Sequence, residues 1–148
     1  MKHAVRISIL ILLAAFITAP SPRANDEAVE VDWATLQELD YHTGEMSDKL
    51  TKLNGKTVRI PGFMVPLDDD DEAVNEFLLV PYVGACIHTP PPPPNQLVHV
   101  KMKGRKRAEV LWWVPIWVEG QLDISSMMSA YGEVGFQVQG LSAEPYSD

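Results

Sequence analysis

Cys86 and His88 are the residues whose types and spacing best suit chemistry. They lie two positions apart, separated by Ile87. On an extended strand, alternate side chains point to the same face, so both would face outward when Ile87 faces the core. A thiolate and an imidazole are good ligands for zinc or copper. The spacing therefore indicates a candidate metal site.

His99 is the candidate third ligand of this site. Val98 and Val100 flank it, so a strand that buries both valines turns His99 outward. The three ligands would meet if this strand pairs with the preceding one as a wide hairpin. Asn95 and Gln96, between the two strands, are predicted to orient the ligands from a second shell. Acidic residues at 68–72, or water, would complete the coordination.

Two other interpretations of the cysteine stay open. Cys86 is the only cysteine in the chain, and a free cysteine often packs as a small hydrophobic side chain. His88 would then hydrogen-bond the loop backbone. In the second interpretation Cys86 is a nucleophile and His88 its base, which would make the protein a thiol enzyme. No oxyanion hole or orienting third group is marked, so no catalytic residue is assigned.

A run of five prolines, Pro90–Pro94, follows the candidate ligands. Proline has no N–H to offer a sheet, and such a run favours a polyproline II rod of roughly 15 Å. The preceding strand is therefore predicted to end near Thr89 and the next to begin at Gln96 or Leu97. The rod is a stiff connector that can also serve as a docking element.

Five segments show the two-residue period of half-buried strands. They are residues 56–62, 77–83, 98–103, 112–119 and 134–139. Their spacing predicts a mainly β fold, a small five-stranded OB-like barrel, with a β-sandwich as the alternative. The predicted core residues are Val58, Ile60, Val98, Val100, Val114, Ile116, Val118, Phe136 and Val138.

The remaining segments predict short helices around this barrel. Apolar residues recur at three- and four-residue steps over 33–53, and Gly44 divides them into two short helices or turns. A further short helix is predicted at Asp123–Ala130. Trp113 and Trp117 share the face opposite Val114, where they either mark a binding surface or pack on the N-terminal helices. The basic segment Lys101–Arg107 is predicted to be a solvated hairpin tip.

Residues 1–24 have the pattern of a secretory signal peptide. Lys2 and Arg6 precede an apolar run, Ile7–Ala19, that is too short for a comfortable bilayer span. Cleavage is predicted after Ala24, which leaves a flexible leader at 25–32 and a single domain at 33–148. No other stretch is apolar enough to span a membrane, so a periplasmic location is expected.

Removing Lys2, Arg6 and Arg23 with the signal leaves 9 basic and 20 acidic residues, a net charge of −11. A charge of that sign argues against non-specific binding to nucleic acid.

The chain resembles a family of exported proteobacterial proteins of unassigned function. The resemblance covers roughly residues 33–146 and rests on residues 55–67, residues 77–82 and the segment Gly-Ala-Cys-Ile-His-x-Pro-Pro-Pro-Pro-x-Asn-Gln at 84–96. It implies an association with a MacB-like ABC transporter system and with zinc homeostasis. Some relatives resemble lipoproteins, but this chain has no anchoring cysteine near the cleavage site.

Together these features predict a non-enzymatic periplasmic accessory protein that binds zinc or serves a metal-linked ABC transporter. The predicted ligands are Cys86, His88 and His99. The rival hypothesis is a protein–protein adaptor that docks through the polyproline loop and exposed aromatic residues.

Export is directly testable. Because the basic start, the apolar run and the small residue Ala24 form a cleavable signal, the mature N-terminus is expected to be Asn25. Intact-mass measurement of the periplasmic form checks this. A full-length mass in the inner-membrane fraction would contradict it.

Overall fold

The computed structural model describes residues 27–67, 72–85 and 90–147. The signal peptide, its cleavage site and the first residues of the leader lie outside these ranges. The described residues contain two α-helices, α1 (Trp33–Leu36) and α2 (Asp48–Thr51). The strands are β1 (Val29–Glu30), β2 (Thr57–Pro66), β3 (Ala73–Val74), β4 (Glu76–Val80), β5 (Val98–Met102), β6 (Ala108–Glu109), β7 (Pro115–Asp123), β8 (Met127–Ser129), β9 (Gly132–Val134) and β10 (Phe136–Pro145).

Five of these strands form a closed barrel, as the sequence predicts. Their order is β2-β4-β5-β10-β7, and β7 pairs again with β2. The β5–β10 pair is parallel and the other barrel pairs are antiparallel. This is the Greek-key arrangement of an OB-type barrel. β4 covers only the second half of β2, and β1 pairs in parallel with Val58 and Arg59 in the first half, on the side away from β7.

The barrel interior follows from the two-residue period. In the first half of β2, buried residues such as Val58 and Ile60 alternate with partly exposed ones such as Arg59. The inward side chains of all five strands meet in one core. Eight of the nine predicted core residues are buried there: Val58, Ile60, Val98, Val100, Ile116, Val118, Phe136 and Val138.

The two N-terminal helices close one part of this core. Each begins at a side-chain cap: Asp32 accepts from the Thr35 backbone N–H at 2.8 Å, and Ser47 Oγ accepts from the Leu50 N–H at 3.1 Å. Such caps satisfy orphan donors of the first turn. Leu36 and Leu50 are fully buried in the barrel core. The helices therefore contribute to the main core, although each has only four residues.

Gly120 permits a close approach between β7 and β10. It lies opposite Gly140, and a Cβ built on it would lie 2.4 Å from the Gln139 carbonyl oxygen. Any larger residue would push the two strands apart. A register shift between Gly140 and Ser142 follows immediately, and such bulges increase the local bend that barrel closure needs.

Two expectations about the second half of the chain are wrong. The predicted helix at 123–130 is a hairpin, because β8 pairs with β9 across Ser129 and Gly132. The predicted strand at 112–119 begins only at Pro115, and Val114 is 42% exposed. Trp113 has φ of 66°, a left-handed conformation that breaks the two-residue alternation before the strand starts.

The core assignment predicts the effect of a truncation. Val138 is 2% exposed, whereas Val29 is 45% exposed. Val138→Ala is therefore expected to lower the free energy of unfolding by about 1–3 kcal/mol, because it removes buried methyl groups and leaves a cavity. Val29→Ala, the matched control, should change it little. Urea denaturation measures both, and equal effects would contradict the placement of β10.

Candidate functional site

The candidate site lies where β4 turns back into β5. The two strands form the wide hairpin that the sequence predicts, with Leu79 opposite Val98 at its closed end. β4 ends at Val80, earlier than expected, and a turn follows at 83–85. Cys86 and His88 lie outside the described residues. Of the predicted ligands, the structure therefore describes His99 alone.

The residues before Cys86 pack on the outside of the barrel. Ala85 is fully buried in a second apolar cluster, separate from the barrel interior. The cluster consists of Val65, Leu78, Val80, Ala85, Leu97 and Val134. Outward side chains of β2 and β4 are thus covered by the loop between β4 and β5 and by the β8–β9 hairpin. Because Leu78 lies directly across the ladder from His99, this cluster borders the candidate third ligand.

His99 points away from the barrel interior, as predicted, but it is buried. It is only 5% exposed, and its Nε2 lies 2.7 Å from Glu76 Oε1. The strand geometry explains the contact. Glu76 and Leu78 are alternate residues of β4 and both face outward, and His99 is the outward residue of β5 opposite Leu78. Glu76 and His99 are therefore diagonal neighbours on the same face. No described residue hydrogen-bonds to the other ring nitrogen, Nδ1.

Glu76 contacts Lys101 as well as His99. Lys101 Nζ lies 3.4 Å from Glu76 Oε2. Partial burial raises the pKa of the Glu76 carboxyl, but the hydrogen bonds and charges of His99 and Lys101 outweigh this, so the pKa lies below its ordinary value of 4.5. The carboxylate is therefore well suited to hold the imidazole in one orientation. The sequence alone did not reveal Glu76, because the apolar run Phe77–Val80 that follows it shows no alternation of polar and apolar residues.

Asn95 and Gln96 occupy a short 3₁₀ turn, Pro94–Gln96, at the end of the proline run. Pro93 is extended, with φ −62° and ψ 158°, but Pro94 already belongs to the turn, so the extended part is shorter than predicted. Asn95 Nδ2 donates to the Leu39 carbonyl at 3.0 Å, and Gly135 N–H donates to the Pro94 carbonyl at 2.8 Å. These bonds tie the loop to the segment that follows α1 and to the junction between β9 and β10.

Within residues 27–67, 72–85 and 90–147, no group of three or more His, Cys, Asp or Glu side chains is arranged to hold a metal ion. Of the proposed site, the described residues thus contain His99 and the carboxylate of Glu76 that it contacts. Over the same ranges, none of the helices has the length and apolarity that a bilayer span requires.

A polar groove lies beside His99 on the outer barrel wall. It has a volume of about 680 Å³ and crosses β5, β10 and β7. Its floor holds two cross-strand rows of outward side chains. The rows are His99–Gln137–Asp123 and Lys101–Gln139–Gln121. The turns at Asn54–Gly55 and Lys103–Gly104 border it. The sequence alone does not reveal this groove, because its members come from three strands that are distant in the chain.

A patch of exposed apolar residues lies near the start of β7. Its members are Tyr82, Val83, Trp112, Trp113 and Val114, each between 42% and 59% exposed. Trp113 combines the greatest exposure in this patch with its left-handed backbone. A bulky residue rarely adopts that conformation without a local or functional cause. Trp113 is thus exposed on the surface, as the expectation that it belongs to a binding surface required.

Trp117 has a different role. It is 7% exposed, stacks on Tyr146 with ring centroids 5.0 Å apart, and lies under the Arg59 guanidinium at 4.1 Å. It therefore packs on the C-terminal strand end and on β2, and not on the N-terminal helices.

The exposed basic turn that follows β5 is held by Lys106, whose Nζ donates to the Leu141 carbonyl at 2.7 Å.

Comparison with known proteins identifies one family. The family model described as "Protein of unknown function (DUF3299)" matches residues 16–145. The structure is similar to the crystal structure of a DUF3299 family protein from Pseudomonas aeruginosa PAO1, with a TM-score of 0.65 and 28% sequence identity. That match covers 82% of this chain and 97% of the other. No curated protein gives a significant match.

The Glu76–His99 contact predicts how stability depends on pH. Because the folded-state pKa of Glu76 is lower than 4.5, its contribution is fully present above that pH and is lost as the pH falls through the folded-state value. The difference in unfolding free energy between wild type and Glu76→Gln should therefore shrink below about pH 4.5. In a His99→Gln background the pH-dependent part should be smaller. Denaturation curves between pH 3 and 7 check this, and a constant difference would contradict it.

Proposed function

This chain belongs to the DUF3299 family, and we propose that it is a non-enzymatic, exported accessory protein that binds a zinc ion on the outer wall of its OB-type barrel. The proposed ligands are Cys86, His88 and His99. Glu76 is proposed as the carboxylate that holds His99 in position.

The observation that carries the proposal is the contact between His99 Nε2 and Glu76 Oε1 at 2.7 Å. Histidines that bind metals usually donate their second ring N–H to a carboxylate, which fixes the tautomer and makes the ligand nitrogen more basic. With Nε2 engaged by Glu76, Nδ1 is the nitrogen offered to a metal. A structural contact between a buried histidine and a carboxylate has the same geometry, so zinc binding is tested directly.

The position of Ala85 supports the part of the proposal that concerns Cys86. Ala85 is fully buried beside Leu78, and Leu78 is the cross-strand neighbour of His99. Ala85, the residue before Cys86, is therefore held against the part of the barrel wall that carries His99. The prolines after residue 89 limit the ordering entropy that binding would cost.

The proposed location and partner rest on the sequence. A cleaved signal at residues 1–24 would deliver the protein to the periplasm. The resemblance described above implies a MacB-like ABC transporter system as the partner, and we propose that the protein serves such a system.

A second function, protein–protein adaptor, is favoured by the exposed apolar patch. Trp112, Trp113 and Tyr82 expose about half of their surface, and exposed aromatic groups of this kind mark interaction surfaces on soluble proteins. In that case His99 and Glu76 are a structural pair. A Trp112→Ser, Trp113→Ser variant would lose its partner without a change in zinc affinity.

Zinc titration decides between the two functions. Cys86→Ser and His88→Ala are each expected to weaken zinc binding at least tenfold, or about 1.4 kcal/mol. Glu76→Gln should weaken it by roughly tenfold or more, because the outer-shell carboxylate no longer orients His99. Affinity should also fall at mildly acidic pH, since the ligands take up protons. Calorimetry on the mature protein at two pH values measures these effects.

His42→Gln is the matched control, because His42 is an exposed histidine in the turn after α1. It should bind zinc as the wild type does. Circular dichroism of each variant establishes that the barrel is intact. Equal zinc affinity in wild type and Cys86→Ser would exclude the metal site and favour the adaptor.

A further inference from the structure

The groove across β5, β10 and β7 has a regular polar floor. Gln139 lies in register with Lys101 on one side and with Gln121 on the other. Gln137 lies in register with His99 and with Asp123 in the same way. All six are outward positions of their strands, since Val138 and Leu122 between them are buried. The barrel thus displays a two-by-three array of polar groups.

Charge is distributed unevenly along this array. Lys101 and Lys103 lie at one end of the groove and Asp123 at the other. Glu76 partly neutralises Lys101 at 3.4 Å, but neither ion pair of the described residues involves Lys103. In a protein with a net charge of −8, a positive groove end attracts an anionic group. The opposite end, at Asp123, attracts a cationic one.

Three glutamine amides lie between these ends, and two are already held in place. Gln137 Nε2 donates to Ser125 Oγ at 2.8 Å, and Ser125 Oγ donates to Asp123 Oδ2 at 2.9 Å. Gln121 Nε2 donates to the Gly55 carbonyl at 3.1 Å. Gln139 is exposed, and its side-chain amide has no hydrogen-bond partner among the described residues. A side-chain amide offers donors and an acceptor, the pattern that a peptide backbone complements.

The distance between the charged ends sets the ligand's length. Asp123 lies two strands across and two residues along from Lys101. From ordinary sheet spacings their Cα atoms are roughly 12 Å apart. An extended tripeptide spans about 10 Å between its terminal amine and carboxylate. The reach of the lysine and aspartate side chains covers the remainder.

We propose that this groove binds a short zwitterionic peptide of about three residues in extended form. Its carboxylate pairs with Lys103 and Lys101, its amine pairs with Asp123, and the glutamine amides hydrogen-bond its backbone. The site borders His99 but uses none of the proposed zinc ligands. The two proposals therefore stand or fall separately.

Titration of the mature, metal-free protein with three probes tests the site. The probes are trialanine, N-acetyl-trialanine, which lacks the amine, and trialanine amide, which lacks the carboxylate. Trialanine should bind saturably at millimolar concentration and shift the amide resonances of Lys103, Gln139 and Gln121 in NMR spectra. Each blocked probe should bind at least tenfold more weakly.

Two variants assign the ends of the peptide. Lys103→Gln should reduce the preference for trialanine over trialanine amide, because the carboxylate keeps only Lys101 as a partner. Asp123→Asn should bind trialanine and N-acetyl-trialanine equally. Gln139→Ala should weaken all three probes alike. Lys52→Gln and Gln37→Ala, exposed positions that do not line the groove, are the matched controls and should bind as the wild type does.

Three results would overturn the proposal. They are the absence of saturable binding by a folded protein, equal binding of all three probes, and equally strong binding of inorganic phosphate, which would indicate a simple anion site. Because zinc is left out, failure here does not bear on the metal site. Loss of zinc binding in Cys86→Ser likewise leaves this result unchanged.

Discussion

Pairing between β2 and β7 closes the sheet, and the position of every side chain in the candidate site depends on that closure. Once the five strands form a ring, each outward residue acquires fixed neighbours on both sides. His99 must then lie between Leu78 and Gln137. The close contact of β7 with β10 at Gly120 is a requirement for the ring.

A second apolar cluster lies on the outside of the barrel. Val65, Leu78 and Val80 face away from the main core, yet they are buried beneath the β4–β5 loop and the β8–β9 hairpin. That second cluster fixes Ala85 and Leu97, the residues that precede and follow the stretch carrying Cys86, His88 and the prolines.

Electrostatics divides the outer wall into two adjoining regions. Glu76 is the junction, since one carboxylate oxygen meets His99 and the other meets Lys101. On one side, His99 is held as a candidate ligand next to the apolar cluster. On the other, Lys101 is the start of the polar groove. A charge change at Glu76 would therefore affect both regions, which is why the peptide test uses Lys103 and Asp123.

The fold was predictable from the sequence because its information is local. The two-residue period of Val98 and Val100, and of Ile116 and Val118, needs no tertiary context, and five strand candidates already indicate a small barrel. The alternation also set His99 on the outer face. Where local signals conflict, prediction failed: Trp112 and Val114 continue the pattern of β7, but the left-handed Trp113 ends it.

Only the tertiary structure decided how the strands align with one another and which outward side chains are buried. The sequence places Glu76 and His99 on two different strands, and only the antiparallel ladder, with Leu78 opposite His99, brings them within hydrogen-bonding distance. The three glutamines of the groove are likewise unremarkable until β5, β10 and β7 align them. The sequence by itself determined which residues face outward, because parity is a property of one strand. Which outward residues meet, and which are buried, depends on how separate strands pair and what packs over them.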